Sequence, residues 1–218
     1  MSDSALLARF HGASLIETQP KVAGLFDAIS AANIPGVRNL HPAFASLLVV
    51  YNPLAWTPLA LVERLEEARK RAGSISVKKE RVTIPVCFAA EFAPDLGEVS
   101  SRAGLSVDKT VELFSSGIFH VAFLGFAPGF PYLLGLPPEL ATPRLARPRT
   151  HVPAGSVGIA GEQTGIYPAA TPGGWRIIGR TPLRLFDPKR MPMSLLLPGD
   201  EVQFAAIDEQ RYGELSQW

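Results

Sequence analysis

A single cysteine, Cys87, stands in a chain of 218 residues, which excludes an internal disulfide and fits a reducing compartment. Long apolar runs are missing as well: none reaches the ~18–20 residues of a membrane span. Pro53, Pro58 and charged side chains interrupt the richest stretches. The opening residues, MSDSALLARF, show neither the basic start nor the small-residue cleavage site of a secretory signal. These absences predict a cytoplasmic protein without a membrane partner. An excess of one charge is also lacking. The formal net charge is +1, which argues against a general nucleic-acid binder.

Several chemistries lack their residues. The four histidines, His11, His41, His120 and His151, are scattered, with no H-x-x-x-H pair and no cysteine cluster, so no metal is expected. No G-x-S-x-G elbow is present. Cys87 lies in a strand-like stretch and reads as a buried, inert thiol. The glycines of Gly155-Ser-Val-Gly158-Ile-Ala-Gly161 fit neither phosphate-binding pattern. They read instead as a small-residue strand that another backbone or a ligand approaches closely.

What is present divides the chain in two. Over residues 1–86, periodicity predicts the order β-α-β-β-α-β, a ferredoxin-like split βαβ. Its strands are expected at 5–10, 37–40, 46–51 and 77–86, around a turn at His41-Pro42. One helix is expected from Pro20 to about Ala32, with Pro20 in its first turn. The other follows the Thr57-Pro58 cap and closes at Gly73. From Cys87 to Trp218 the texture changes. Two short helices, 94–103 and one capped by Ser106, precede an apolar run, IFHVAFL at 118–124, which reads as a buried strand holding His120. Beyond it, 13 of the 20 prolines fall between Pro128 and Pro198. Short strand-like runs at 157–160, 165–167, 175–178, 183–186 and 202–207 suggest a barrel or sandwich. The fold class expected is therefore α+β, with domains 1–86 and 87–218.

Two stretches of the second half draw notice. GFAPGFPYLLGLPP, residues 125–138, is dense in turn residues yet carries no charge, and it reads as an apolar loop: a buried connector or a groove wall. Between Leu140 and Arg190 stand Arg144, Arg147, Arg149, Arg176, Arg180, Arg184, Lys189 and Arg190, against only Glu162 and Asp187. This is either a solvated basic face or a site for a carboxylate or phosphate, whose geometry guanidinium forks match. Arg149, Gln163, Thr164, Tyr167, Trp175 and Arg180 gather there among turn residues. Planar donors and aromatics on closely spaced strand ends suit a small polar ligand. Core aromatics and solvated arginines would account for the same residues.

At this point the sequence resembles a known family. GFAPGFPYL, LATPRLARPRTHVPAGSVGIAGEQTGIYP, TPGGWRIIGRTPLRLFDP and LLPGDEVQF, with CFAAEFAPDLGEVSSRAGLS upstream, resemble the C-terminal domain of a bacterial family. It comprises the PxpB component of 5-oxoprolinase, the kinase inhibitor KipI and allophanate hydrolase subunit 1, with a domain like subdomains C and D of carboxyltransferases. SLLVVYNP extends the resemblance, more loosely, into the N-terminal half. It implies a small α/β domain followed by a cyclophilin-like β-barrel. It also implies a sister subunit (PxpC, or allophanate hydrolase subunit 2), a PxpA-like third subunit, and ATP-dependent cleavage of 5-oxo-L-proline to L-glutamate.

Under that resemblance Arg149 and Arg180 are expected to hold an anion, Gln163 and Thr164 to hydrogen-bond an amide, and Tyr167 with Phe126 or Phe130 to wall the pocket. Arg149, Arg180 and Gln163 are the candidate catalytic residues. ATP is expected in the complex, with direct contact to this chain left open. Two alternatives remain. One is a KipI-like inhibitor that binds a sensor histidine kinase. The other is an allophanate or urea carboxyltransferase subunit, whose biotin would sit on a partner, since Met191-Pro-Met193 is no biotin-attachment motif. His120 is either catalytic or structural.

Overall fold

The computed structural model describes residues 4–12, 14–72 and 80–216. The chain forms two compact units, Met1–Lys79 and Glu80–Trp218. No helix among the described residues is long and apolar enough to cross a membrane.

In the first unit, β1 (Ala5–Arg9), β2 (Val37–Pro42) and β3 (Ser46–Tyr51) form an antiparallel sheet of order β1-β3-β2. Alternation along β3 turns Leu47, Val49 and Tyr51 inward. They pack on Val22, Leu25 and Ile29 of α1 (Leu15–Ala32) and on Leu61, Leu65 and Ala68 of α2 (Pro58–Ala72), both at helical spacing. Each such buried side chain contributes roughly 1.5–3 kcal/mol.

Two expectations shift here. Ser14 accepts the Glu17 N–H at 3.3 Å, so α1 starts before Pro20, which lies inside the helix. The turn between β2 and β3 follows His41-Pro42, closed by the Ala43 N–H donating to Ser46 O at 2.8 Å. Thr57 does cap α2, accepting the Ala60 N–H, whereas Gly73 lies outside the described residues.

The second unit is a closed barrel of order β11-β4-β12-β5-β6-β9-β8. Its strands are β4 (Arg81–Cys87), β5 (Ile118–Leu124), β6 (Pro131–Leu134), β8 (Ser156–Ala160), β9 (Gln163–Ile166), β11 (Arg176–Arg180) and β12 (Glu201–Ile207). The β4–β12 pair is parallel and the others antiparallel. A two-stranded ribbon of β7 (Arg149–Val152) and β10 (Thr171–Gly173) stands apart from the barrel ladder. Helices α3 (Leu96–Ala103) and α4 (Val107–Ser116) precede β5, and α5 (Glu209–Leu215) follows β12. All seven barrel strands contribute to one apolar cluster, including Ile84, Phe119, Leu133, Val157, Ile166, Ile178 and Phe204, which is therefore the barrel interior. Phe114 of α4 joins it, with ring centroids 4.7 Å from Phe204 and 5.0 Å from Phe119.

The α+β class with a barrel stands. The fourth strand of the expected split βαβ does not complete the first sheet among the described residues. Its segment runs as β4 in the barrel, because Ile84 and Val86 are buried in the barrel interior; residues 77–79 lie outside the described residues. The uncharged stretch 125–138 is a loop only in part, since Pro131–Leu134 enters the barrel as β6. Residues 183–186 form no strand of the barrel and give one bridge, Phe186 to Ser194. The strand at 118–124 is buried on one face at its start, so His120 points to solvent.

Candidate functional site

The outer face of the barrel carries a second apolar cluster of Phe130, Val152, Ala160, Tyr167, Trp175 and Ile177. Glycine explains its location. Gly158 and Gly165 are register partners on β8 and β9, and side chains there would collide with the aromatics above. A Cβ on Gly165 would lie 2.7 Å from the Phe130 ring and 2.9 Å from Trp175, and one on Gly158 would lie 3.1 Å from Trp175 Cβ. On the glycine-spaced strand itself the expected close approach is made by Trp175 Cβ at Gly158 and by the Thr181 backbone at Gly155.

The rings meet edge to face. Phe130 lies 5.2 Å from Tyr167 and 5.5 Å from Trp175, and Tyr132 is 5.8 Å from Trp175. Such geometry aligns positive ring edges with negative faces. Arg144 adds a cation over Trp175, 5.8 Å from the ring centroid. Burial pushes the Tyr167 phenol above its ordinary range, opposed by the Trp175 backbone hydrogen bond and by the charges of Arg144 and Arg149. Tyr132 is pushed the same way by burial, against the Arg144 charge. Both phenols stay protonated at neutral pH and keep a proton to donate.

Phe126 differs from the rest of the cluster. It is 63% exposed and sits at φ +66°, a left-handed backbone rare for a bulky residue. The Ala127 N–H donates to Gly125 O at 2.7 Å, and the Phe130 N–H to Ala127 O at 3.0 Å. The first closes a γ-turn of the strained hand, with Phe126 at its apex. The strained turn holds the exposed ring 5.4 Å from Phe130 and 6.3 Å from Tyr167.

A row of side chains crosses the same outer face. Val157 pairs with Ile166, so the next register pair is Ser156 with Tyr167, joined by the Tyr167 N–H to Ser156 O at 2.9 Å. Ser156 pairs in turn with Arg180, and Arg180 with Cys87. The Arg180 guanidinium lies over the Phe92 ring at 5.1 Å. Phe92 itself rests 4.4 Å from Tyr212 of α5. The Cys87 thiol is buried and held above its ordinary range chiefly by that burial, in keeping with an inert thiol.

The structure sorts the sequence candidates. Phe126, Phe130 and Tyr167 come together with Trp175. Gln163 lies on the same face of β9 as Tyr167, two register steps beyond Gly165. Thr164 alternates to the other side with Ile166 and is fully buried toward the barrel interior, so it does not line the outer face as expected. Phe130 and Tyr167, each 1% exposed, are core to the cluster rather than an open wall.

Arg149 is engaged internally. One terminal nitrogen donates to Asp95 Oδ1 at 2.7 Å and the other to Trp175 O at 3.5 Å. The remaining basic residues divide similarly. Arg176 pairs with Glu98, Arg184 with Asp187 at 3.6 Å, and Arg190 donates to the Leu185, Pro192 and Met193 carbonyls. Among the described residues, Arg180 has no carboxylate at ion-pair distance. Half of the basic segment is therefore an internal fastening, while Arg144, Arg147, Arg180 and Lys189 have no carboxylate at ion-pair distance among the described residues, Arg144 lying over Trp175 and Arg180 over Phe92. Sequence reasoning missed Asp95, Glu98, Phe92 and Ser156. Asp95 follows a proline ahead of a helix and reads locally as a cap, while its real partners lie 54 and 82 positions away.

Comparison with known proteins agrees with this architecture. Residues 1–196 match the family model of the carboxyltransferase domain, subdomain C and D. The chain is 41% identical to the 5-oxoprolinase B-subunit of Bacillus subtilis (strain 168), over 97% of this chain and 93% of that protein. It is 47% identical to the 5-oxoprolinase B-subunit of Escherichia coli O157:H7, over 81% of each. The crystal structure of TTHA0988 superposes with a TM-score of 0.82 at 35% identity, covering 94% of this chain and 40% of that one. The chain belongs to the carboxyltransferase subdomain C and D family, with 5-oxoprolinase B-subunits as its close relatives.

Proposed function

We propose that the chain is a cytoplasmic component of an ATP-dependent 5-oxoprolinase complex that opens 5-oxo-L-proline to L-glutamate. It is catalytically incomplete without a PxpC-like sister subunit and a PxpA-like third subunit. The names of its relatives support the reaction. The observation that carries the reading is the outer barrel face, where an exposed, strained Phe126 and the half-buried Tyr132 share one face with Arg180, a cation with no carboxylate at ion-pair distance among the described residues. A small planar lactam bearing one carboxylate suits such a surface: rings to stack on, donors for the amide oxygen, and a guanidinium for the anion.

The lactam is resonance-stabilised, and ATP, when bound in the complex, supplies the activation of its carbonyl oxygen. This chain shows no cradle for the triphosphate among the described residues. The amides of Gly155, Ser156 and Gly161 donate to the carbonyls of Tyr167, Pro153 and Thr142, and β8 is paired on both sides. The nucleotide therefore belongs on a partner subunit. What this chain contributes is orientation and the exclusion of water from one face of the ring.

The test is reconstitution. The purified chain mixed with its two partner subunits releases glutamate from 5-oxoproline only when ATP is added. Absence of glutamate from a mixture of folded, assembled subunits would refute the proposal. The family name favours a second reading, carboxyl transfer to urea or allophanate. That reading requires a biotinylated partner and predicts inhibition by avidin; the 5-oxoprolinase reading predicts none.

A further inference from the structure

Four buried side-chain polar atoms have no hydrogen-bond partner among the described residues: Ser115 Oγ, Ser156 Oγ, Thr164 Oγ1 and Arg180 Nε. Two of them, Ser156 Oγ and Arg180 Nε, belong to register neighbours whose side chains share the outer face of the barrel. A buried donor or acceptor without a partner is destabilising, and native folds rarely keep one without a use. Two side by side on a candidate site are a stronger indication than either alone.

The surroundings hold this pair in place. The Phe92 ring, 5.1 Å from the Arg180 guanidinium carbon, holds that cation against the face. Gly155, at φ +78°, lets the Thr181 carbonyl and the Arg180 stem pack directly on its backbone, since a Cβ there would lie 2.2 Å from Thr181 O and 3.3 Å from Arg180 Cγ. Of the neighbouring arginines, Arg149, Arg176 and Arg184 each hold a carboxylate of the chain, and Arg144 lies over the Trp175 ring. One cation and one hydroxyl match a monoanion, whereas a phosphate would call for more positive charge.

We infer that Arg180 and Ser156 form a carboxylate-binding subsite, in which the guanidinium presents Nε–H and a terminal N–H side-on while the Ser156 hydroxyl donates to the same carboxylate. Two strand spacings, about 10 Å, separate Arg180 from Tyr167 across Ser156. A five-membered lactam spans that distance with its carboxylate on Arg180 and its ring toward Tyr167 and Phe126. The identity of the ring rests on the 5-oxoprolinase reading; the carboxylate preference does not.

The experiment is a titration of the purified, 15N-labelled chain with 5-oxo-L-proline and with 2-pyrrolidinone, the same lactam without its carboxylate. The acid is expected to move the amide signals of Ser156, Tyr167 and Arg180, and to bind about tenfold or more tightly than pyrrolidinone, the range of one charge-assisted pair. Ser156→Ala and Arg180→Gln each reduce that preference by about tenfold. Ser156→Ala keeps or raises the melting temperature, because it removes an unpaired hydroxyl, so it remains informative should Arg180→Gln fold poorly. No binding of the acid, equal binding of the two ligands, or an undiminished preference in the variants overturns the subsite. Undiminished preference alongside an active complex removes the subsite and leaves the functional reading. Carboxylate preference with an inactive complex does the reverse.

Discussion

Asp95 and Arg149, 54 positions apart in the chain, meet through a 2.7 Å hydrogen bond between Oδ1 and a guanidinium nitrogen. The second oxygen of Asp95 accepts the Ile177 N–H at 2.6 Å, and the Asp95 N–H donates back to Ile177 O at 2.9 Å. One carboxylate, 6% exposed, thereby fastens the start of α3, the ribbon strand β7 and the barrel strand β11. Arg149 reaches on to Trp175 O, and the Trp175 backbone hydrogen-bonds the Tyr167 phenol, so the same chain of contacts supports the aromatic cluster.

Removing either partner should therefore act first on stability. Asp95→Ala leaves the Ile177 N–H unpaired and the half-buried Arg149 guanidinium without its carboxylate, and is expected to lower unfolding free energy by about 3 kcal/mol. Asp95→Asn keeps one acceptor and costs about 1–2 kcal/mol. Urea unfolding midpoints check both values. Any loss of activity in Arg149→Ala should track the folded fraction.

Two left-handed glycines should respond differently to alanine. Gly161, at φ +60°, has open space around a Cβ, so Gly161→Ala costs only the backbone term, about 1 kcal/mol. Gly155 shares the backbone hand, but its added Cβ would overlap Thr181 O, a rigid backbone atom, and Gly155→Ala should cost about 3 kcal/mol. Paired thermal melts decide the order.

Phe126 and Phe130, four residues apart, should separate function from folding. Phe130→Ala empties a fully buried site and costs about 3–5 kcal/mol. Phe126→Gly relieves about 1–2 kcal/mol of left-handed strain, loses ring contacts worth about 0.5–1.5 kcal/mol each, and adds chain entropy of about 0.5–1 kcal/mol. These nearly cancel, so its stability should stay within about 1 kcal/mol of wild type, while substrate use falls. Denaturation alongside steady-state rates separates the two residues.

The buried phenols set the alkaline limit. In the folded state Tyr167 and Tyr132 are raised above the ordinary value of 10.0. The unfolded chain thus loses those protons first as pH rises. Their stabilising contribution is complete below pH 10 and is lost as pH climbs through the raised folded values. Absorbance at the tyrosinate band should show these two ionising only with alkaline unfolding, and Tyr167→Phe should flatten the decline in stability. Ionisation at the ordinary value without unfolding would contradict the burial argument.

Much of the architecture was legible because it is local. Helical spacing placed α1 and α2, Ser106 and Thr57 marked their helix starts, and the crowding of turn residues after residue 125 signalled the barrel. The assignment of β4 was not legible, since its alternation suits either sheet and only partners such as Phe204, over a hundred positions away, decide. The site was half legible for the same reason. Tyr167, Trp175 and Arg180 stand out by residue type. That Arg149 is neutralised by Asp95, that Thr164 turns inward, and that Ser156 lies beside Arg180 are consequences of register, which depends on long-range pairing.

The central claim is that the outer face bounded by Phe126 and Arg180 binds the substrate of the assembled complex. Its most direct test is kcat/KM for 5-oxoproline in complexes reconstituted with wild type, Phe126→Gly, Arg180→Gln and, as a control, Lys109→Ala, which breaks an exposed pair with Glu112 on α4. The account predicts losses of about tenfold or more for both site variants at unchanged assembly, with the control near wild type. Site variants within about twofold of wild type, in complexes equally well assembled, would contradict it.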